Sequence, residues 1–466
     1  MRINARLFAV PRHTCQVRPA VAPLYRQISG TSGILKPAAA TQSSTAEQRF
    51  QPLPSFACDR PSGSELSRGS NTTAALKRTG PTGLPHVGSN QRKVSVGWKN
   101  GVISHFHHIW LRDHCRCADC LHPVTKQRLV NTFEIPPNVQ PVRVESRSTG
   151  LEVTWSDSPK HTSTFPWEWL SRSSYDPPMN HLFTHNNRKT LWGSSIQQAP
   201  PTVSYEEVMR DDVGVYGWLR NVDEFGFCFI SGVPPNPEDT EALTRRIAFI
   251  RDTKYGGFWD FTSDLKHGDT AYTNLALGAH TDTTYLSDPC GLQLFHLLSH
   301  EGTGGKTLLV DGFYAAAKLR EKYPSHYELL TDVKISAHAA GDADSLYIPD
   351  EPFSILKKDL NGELMRVRYN NDDRSALKYI DPVLVDDWYD ALRSWNRCLT
   401  SPDAELWIQL AAGTAVVVDN HRVLHGRSAF TGKRRMCGAY VGADEWKSRL
   451  RVLSQAIDKR SWNSEF

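Results

Sequence analysis

In the stretch LGAHTDTTY (277–285), His280 and Asp282 stand two residues apart. On an extended strand, residues i and i+2 point to one face, so this imidazole and carboxylate project side by side and could hold a metal. An isolated His-x-Asp also arises by chance on the polar face of a surface strand, so a third donor is needed. VVVDNHRVLHGR (416–427) supplies candidates: an apolar strand runs into His421 and His425, the latter 143 residues after Asp282. A His-x-Asp pair on an early barrel strand and one His on a late strand make a facial triad. Such a triad leaves about three positions of an octahedral iron open, as a closed structural site would not. Nine residues beyond His425, GKRRMCGAYVG carries Arg434, and GTGGKTLLVDG presents Thr307 at the start of another strand. A guanidinium fork and a hydroxyl near open metal positions suit the far carboxylate of a dicarboxylate co-substrate, which points to 2-oxoglutarate.

A second cluster, HCRCADCLHP (114–123), packs Cys115, Cys117 and Cys120 into six residues. Three thiols so close can wrap one tetrahedral zinc, whose structural sites take a fourth protein ligand. His161 in SPKHTSTF could close the site across the small domain, while His114 and His122 are nearer in sequence but sterically awkward. A nucleic-acid-binding zinc finger is disfavoured, because a second ligand pair and a basic recognition helix are missing.

These residues need rigid elements to hold them. Between 47 and 92 the chain is rich in Ser, Thr, Pro and Gly without periodicity, which predicts a disordered linker. From 93 the pattern changes: Val94, Val96 and Trp98 alternate and Asn100-Gly101 supplies a hairpin turn. RVESRSTGLEVTWS repeats that hairpin logic, and TFPWEWLSR reads as a short closing helix. A small zinc-binding β domain over 93–180 is the result. A catalytic domain is expected over 200–466, opening with a capping box at Ser204 and Glu207. A strand follows over FGFCFISGV, then a helix over EALTRRIAFI. After 270, short strands punctuated by Gly and Pro have the rhythm of a jelly roll. The expected fold is mainly β with flanking helices, a double-stranded β-helix joined to the small domain.

Composition narrows the function. Of the 54 Lys and Arg in the 466 residues, six fall in residues 1–46, which contain no acid. The remaining 48 basic residues face 50 acidic ones, a balance that argues against nucleic acid as a partner. The spaced arginines, hydroxyl residues and missing acids of 1–46 suit a mitochondrial presequence, so the matrix is the expected location. No apolar run is long enough to read as a membrane span. Nine cysteines, scattered apart from the one cluster, indicate a reducing compartment without a disulfide framework.

HTDTTYLSDPCGLQLFH, HEGTGGKTLLVDGFYAA, RYNNDDR and DNHRVLHGRSAFTGKRRMCGAY resemble the butyrobetaine hydroxylase and trimethyllysine dioxygenase family of iron and 2-oxoglutarate oxygenases. WLRDHCRCADC resembles that family's amino-terminal zinc module. The resemblance runs from about residue 93 to the end of the chain. It implies Fe(II) on His280, Asp282 and His425, 2-oxoglutarate on Arg434 with help from Thr307, and zinc on Cys115, Cys117, Cys120 and His161. It also implies ascorbate as an accessory cofactor and a homodimer. The implied reaction couples conversion of 2-oxoglutarate and oxygen to succinate and carbon dioxide with hydroxylation of trimethyllysine to 3-hydroxytrimethyllysine, the first step of carnitine biosynthesis.

Substrate choice follows from charge. A trimethylammonium has no N–H to donate, so its host is a box of aromatic faces. Tyr255, Trp259, Tyr272 and Tyr440 match the family's cage positions. Asp269 separates the branches, because trimethyllysine carries an α-ammonium that butyrobetaine lacks and an acid would pair with it. Asn370 in RYNN is a further candidate, for the substrate carboxylate. Two other readings compete: a γ-butyrobetaine hydroxylase with the same metal chemistry, and a non-catalytic module that uses the cage to recognise methylated lysine. Asp269 speaks against the first, and the complete triad with Arg434 against the second.

Overall fold

The structure is a computed structural model, and it describes residues 83–156, 161–179, 189–262 and 273–458. Of the residues singled out above, Asp269 and Tyr272 lie outside the described residues, as do the presequence and residues 47–82 of the linker. The first three strands, β1 (His86–Ser89), β2 (Lys93–Gly97) and β3 (Ile103–His107), form an antiparallel sheet in that order. β1 falls within the stretch whose composition reads as linker. It pairs with β2 from His86 opposite Gly97 to Ser89 opposite Val94, a partnership that four residues of local sequence do not announce. Asn100-Gly101 makes the β2–β3 turn, with Gly101 at φ 86°. Helix α1 (His108–Asp113) follows, then a second antiparallel sheet of β4 (Pro141–Arg147), β5 (Gly150–Trp155) and β6 (Thr162–Phe165), closed by α2 (Trp167–Arg172). Gly150 is required between β4 and β5, since its φ is 149° and a Cβ there would lie 2.1 Å from Phe165 O. Val94, Val96, Phe106, Leu151, Val153, Trp155 and Phe165 fill the core between the two sheets.

The larger part begins with β7 (Thr202–Ser204), α3 (Tyr205–Arg210), α4 (Asp212–Phe225), β8 (Phe227–Ser231) and α5 (Pro237–Arg245). The capping box forms as the sequence predicts, with Glu207 N–H donating to Ser204 Oγ at 3.2 Å. Next come β9 (Phe258–Thr262), β10 (Leu277–His280), β11 (Leu292–Glu301), β12 (Thr307–Asp311), α6 (Gly312–Lys322) and α7 (Pro324–Asp332). A hairpin of β13 (Leu356–Lys358) and β14 (Leu364–Val367) precedes α8 (Val385–Leu399) and β15 (Leu406–Ile408). The chain ends through β16 (Thr414–Asp419), β17 (Val423–Arg427), β18 (Lys433–Val441) and α9 (Ala443–Asp458).

Ten of these strands make two sheets, ordered 7-8-16-11-18-9 and 10-17-12-15, antiparallel except for the β7–β8 pair. Every residue of β16 after Thr414 is buried, because the strand is covered on both faces. Ala415 and Val417 pack toward α4 and α9. Val416 and Val418 point inward, where Leu309, Leu406 and Val423 of the smaller sheet meet them. Helices α6, α7 and α8 cover the outer face of the smaller sheet around Leu308, Val310 and Leu424. The strand rhythm after residue 270 conceals this helical layer. Its signal was nevertheless periodic: α8 buries Trp388, Ala391, Ser394, Trp395, Cys398 and Leu399, one stripe at helical spacing.

One fully buried ion pair ties the layers. Arg422, in the β16–β17 turn, donates to both oxygens of Asp311 (Nε to Oδ1 3.0 Å, Nη2 to Oδ2 2.8 Å) and to the Glu224 and Thr190 carbonyls. Asp311 also accepts from Phe313 N–H, capping α6, and from Trp192 N–H. Asp311→Ala strands a buried guanidinium, so it should cost about 3–5 kcal/mol, read as a lower urea midpoint. A midpoint equal to that of the unsubstituted chain would show that the pair is not a structural tie.

Candidate active site

The register of β10 on β17 sets His280 directly opposite His425 and brings the imidazole centroids to 4.5 Å. His280 Nδ1 lies 2.8 Å from Gly278 O. A proton donated there leaves Nε2 as the coordinating nitrogen of the neutral ring. Just past the strand, Asp282 N–H donates to Asn420 Oδ1 at 2.7 Å, and Asn420 Nδ2 donates back to the Asp282 carbonyl at 2.9 Å. Thr283 then turns the chain at φ 56°, a left-handed conformation that a β-branched residue adopts only with strain, and its hydroxyl accepts from Cys290 N–H. The result aims the Asp282 carboxylate back across the strands. Its Oδ1 lies 3.2 Å from His280 Nε2 and 3.6 Å from His425 Nε2. Its Oδ2 accepts from the Tyr440 hydroxyl at 2.7 Å and from Gln293 Nε2 at 2.5 Å. His421 is not part of this group; its ring is buried against Pro289 O.

Burial and charge oppose each other throughout this cluster. Burial pushes Asp282 up, but the adjacent His425 and His280 outweigh it and hold the carboxyl well below its usual range. Burial lowers His280 too, yet the hydrogen bond and charge of Asp282 win and raise it to about 9. For His425 burial prevails and the pKa falls. Tyr440 is driven well above its ordinary value by burial and then by the Asp282 charge, so it remains a hydrogen-bond donor.

All three residues open onto one cavity of about 290 Å³. Tyr255, Trp259, Thr307, Asn370, Arg434 and Tyr440, each singled out from sequence, line the same space. Strand alternation does the sorting, since Arg434, Met436, Gly438 and Tyr440 share the inner face of β18. Arg434 is only 5% exposed, makes no ion pair among the described residues, and leaves its Nε without a hydrogen-bond partner. Burial and then the charge of Arg427 lower it to about 10, so at neutral pH it is a buried cation. Thr307 starts β12 opposite Arg427. Trp259 lies 6.4 Å from Tyr440 and 6.0 Å from Phe295, centroid to centroid. It fits because position 438 is glycine: a Cβ there would come within 2.4 Å of the indole. Asn370 is half-buried, and its Oδ1 accepts from Asp372 N–H at 3.0 Å, which leaves the amide nitrogen for a ligand.

Sequence reasoning missed Gln293, Tyr285, Asn420 and Gly438. Gln293 had a signal: in LQLFHLL it shares parity with Phe295 and Leu297, a polar side chain on an inward face. Tyr285 lines the cavity with its hydroxyl 3.2 Å from that of Tyr255. Asn420 and Gly438 act through contacts 138 residues away and across a strand pair, which nothing local reveals.

The cysteine cluster also assembles. His161 Nε2 lies 3.2, 3.8 and 3.6 Å from the sulfurs of Cys115, Cys117 and Cys120. His114 Nδ1 lies 2.7 Å from Trp110 O, and His122 Nδ1 accepts from Val124 and Thr125 N–H; it is the His161 ring that is grouped with the three sulfurs. Burial and the neighbouring Cys115 push Cys120 to about 12, so a thiolate forms there only with a cation close by.

Each of the two groups brings its donor atoms within 4.8 Å of one another, close enough for a single metal ion. In the first, the metal must displace the His280 proton, which the imidazole holds below about pH 9. Its affinity for a divalent ion should therefore fall by about tenfold per unit as pH drops below that value. Co(II) titrations at pH 7 and pH 8 check this, and equal affinities would contradict it.

Comparison with known proteins gives the family. The family "Taurine catabolism dioxygenase TauD, TfdA family" matches residues 188–440, and "Gamma-butyrobetaine hydroxylase-like, N-terminal" matches 86–171, starting where β1 starts. A trimethyllysine dioxygenase of Meyerozyma guilliermondii is 42% identical over 373 residues, covering 78% of this chain and 93% of the relative. A mitochondrial trimethyllysine dioxygenase of Gallus gallus is 40% identical over 357 residues, 76% of this chain and 84% of the relative. A gamma-butyrobetaine dioxygenase of a Pseudomonas species is 33% identical over 367 residues, 78% of this chain and 94% of the relative. This chain belongs to the TauD, TfdA dioxygenase family, in the branch that holds the trimethyllysine and gamma-butyrobetaine dioxygenases.

Proposed function

We propose that this protein is an iron- and 2-oxoglutarate-dependent dioxygenase that hydroxylates N6,N6,N6-trimethyl-L-lysine. The observation that carries the reading is the convergence of His280, Asp282 and His425 on one cavity whose wall also holds a buried Arg434 with no ion pair among the described residues. Two imidazoles and one carboxylate oxygen are the donor set of a ferrous facial site. Iron with 2-oxoglutarate and oxygen supplies the oxidising chemistry, and the protein supplies binding, orientation and electrostatics. Arg434 pairs with the distal carboxylate of 2-oxoglutarate, helped by the Thr307 hydroxyl. Tyr255, Trp259 and Tyr440, with Tyr272, present aromatic faces to the trimethylammonium. Asp269 pairs with the α-ammonium, and the Asn370 amide nitrogen donates to the substrate carboxylate. The stronger likeness to trimethyllysine dioxygenases than to a gamma-butyrobetaine dioxygenase supports this substrate.

In the amino-terminal domain, Cys115, Cys117, Cys120 and His161 hold structural zinc, a closed site that pins α1 and the loop after it to the β5–β6 connection. Residues 1–46 direct the chain to the mitochondrial matrix, in keeping with the name of the Gallus gallus relative.

The deciding experiment measures kcat/KM for trimethyllysine and for butyrobetaine with Fe(II) and labelled 2-oxoglutarate. Trimethyllysine should be preferred; preference for butyrobetaine would overturn the substrate. Arg434→Met should raise the KM for 2-oxoglutarate by roughly 30-fold or more, the equivalent of a desolvated charge pair. Asp269→Asn should lower kcat/KM for trimethyllysine by a similar factor and leave butyrobetaine largely unchanged, whereas Trp259→Ala should weaken both. Elemental analysis should find about one zinc per chain that survives removal of iron by a mild chelator. Its absence from folded, active protein would refute the zinc site.

A further inference from the structure

We propose that Gln293 is a positioning residue which, together with the Tyr440 hydroxyl, holds Oδ2 of Asp282 and so keeps this carboxylate a one-oxygen metal ligand. The proposal rests on the iron reading above and assigns work to two side chains that the reading leaves unexplained or uses only as an aromatic wall.

The clamp is built by strand register. Gln293 on β11 and Tyr440 on β18 are direct cross-strand partners, so both side chains rise from the same inner face at the same height. Asp282 arrives from the opposite sheet. Its two oxygens then meet different surroundings: Oδ1 faces both histidines, while Oδ2 accepts from Gln293 Nε2 at 2.5 Å and from Tyr440 at 2.7 Å. Gln293 Nε2 also lies 3.3 Å from the Tyr440 oxygen, closing a triangle. The donor roles are forced. A carboxylate only accepts, so the Tyr440 proton points to Asp282, its oxygen accepts from the amide, and it is the nitrogen of Gln293 that turns toward both. The amide oxygen is then left buried with no partner, on a residue 3% exposed. That is an unfavourable arrangement on a face otherwise taken by Phe295 and Leu297, and it is retained with the amide turned to serve Asp282.

A carboxylate free to rotate can offer a metal both oxygens. It would then occupy a coordination position that the co-substrate and oxygen need. With Oδ2 engaged by two donors, only Oδ1 remains directed at the metal, and the remaining positions of the facial site stay open. Partners of metal ligands commonly alter metal affinity by about 10- to 100-fold when removed.

The test compares the unsubstituted enzyme with Gln293→Met, which keeps the length of the side chain but removes the donor, and Tyr440→Phe, which keeps the aromatic ring. Thermal melting of the metal-free proteins checks that each variant folds. Co(II) titration gives affinity, and the visible Co(II) spectrum with 2-oxoglutarate bound reports coordination number, since six-coordinate cobalt absorbs more weakly than five-coordinate. Both folded variants should bind Co(II) roughly tenfold more weakly, show a weaker band, and release more succinate per hydroxylated product. Spectra and affinities equal to those of the unsubstituted enzyme in both folded variants would overturn the clamp. If the unsubstituted enzyme itself fails to bind Co(II) at His280, Asp282 and His425, it is the iron reading that falls. If only Gln293→Met is silent, Tyr440 alone holds Asp282 and the role assigned to Gln293 is wrong. If Gln293→Met melts before measurement, it is replaced by Gln293→Leu, which removes the same donor.

Discussion

The β10–β17 pairing, which sets His280 opposite His425, is the constraint on which the rest of the site depends. A metal site with open positions needs donors that converge from one side only, and cross-strand partners on a common face provide that directly. The third donor requires the chain to leave the strand immediately. Thr283 in a strained left-handed conformation accomplishes the turn, and Asn420, reaching from the loop before β17, bonds both ends of the Asp282 peptide. A slip of one residue in this register would send His280 and His425 to opposite faces and dissolve the site.

The interior carries several charges, and each is handled differently. Arg422 and Asp311 form a buried pair in which every partner is internal, so they tie helices and sheets together without chemical consequence. Arg368 stacks over Phe353 and donates to the carbonyls of Thr284 and Leu286, just past the turn that carries Asp282. Arg434 is the exception, a buried guanidinium whose Nε is unmatched and which faces the cavity.

Strand β18 is the common support of the cavity. It places Arg434 at one end of its inner face and Tyr440 at the other, with Gly438 between them leaving room for Trp259 from the neighbouring β9. The Arg434 guanidinium and the Tyr440 ring and hydroxyl are thus fixed relative to one another by the 2-residue period of a single strand. The same economy appears among residues 86–172, where the turn after α1 presents three thiols and His161, just before β6, meets them.

Much of this was legible in the sequence because it depends on local geometry. The i, i+2 spacing of His280 and Asp282, the thiol spacing of Cys115, Cys117 and Cys120, the hairpin at Asn100-Gly101 and the capping box at Ser204 all follow from backbone periodicities that a few residues set. The residue types named the chemistry before any fold was known, and the resemblance of long motifs fixed the family. What only the tertiary structure decided are the meetings between distant segments. It brought His161 Nε2, the fourth donor that the resemblance implies, beside sulfurs 41 to 46 residues away in sequence. It gave β1 a partner that its own sequence does not specify, and laid three helices over the smaller sheet. It also made the Tyr440 hydroxyl a hydrogen-bond donor to Asp282, beside a Gln293 that sequence reasoning passed over. These outcomes depend on register and packing across more than a hundred residues, where the free energy of many weak contacts, and no local rule, determines which side chains come within reach of one another.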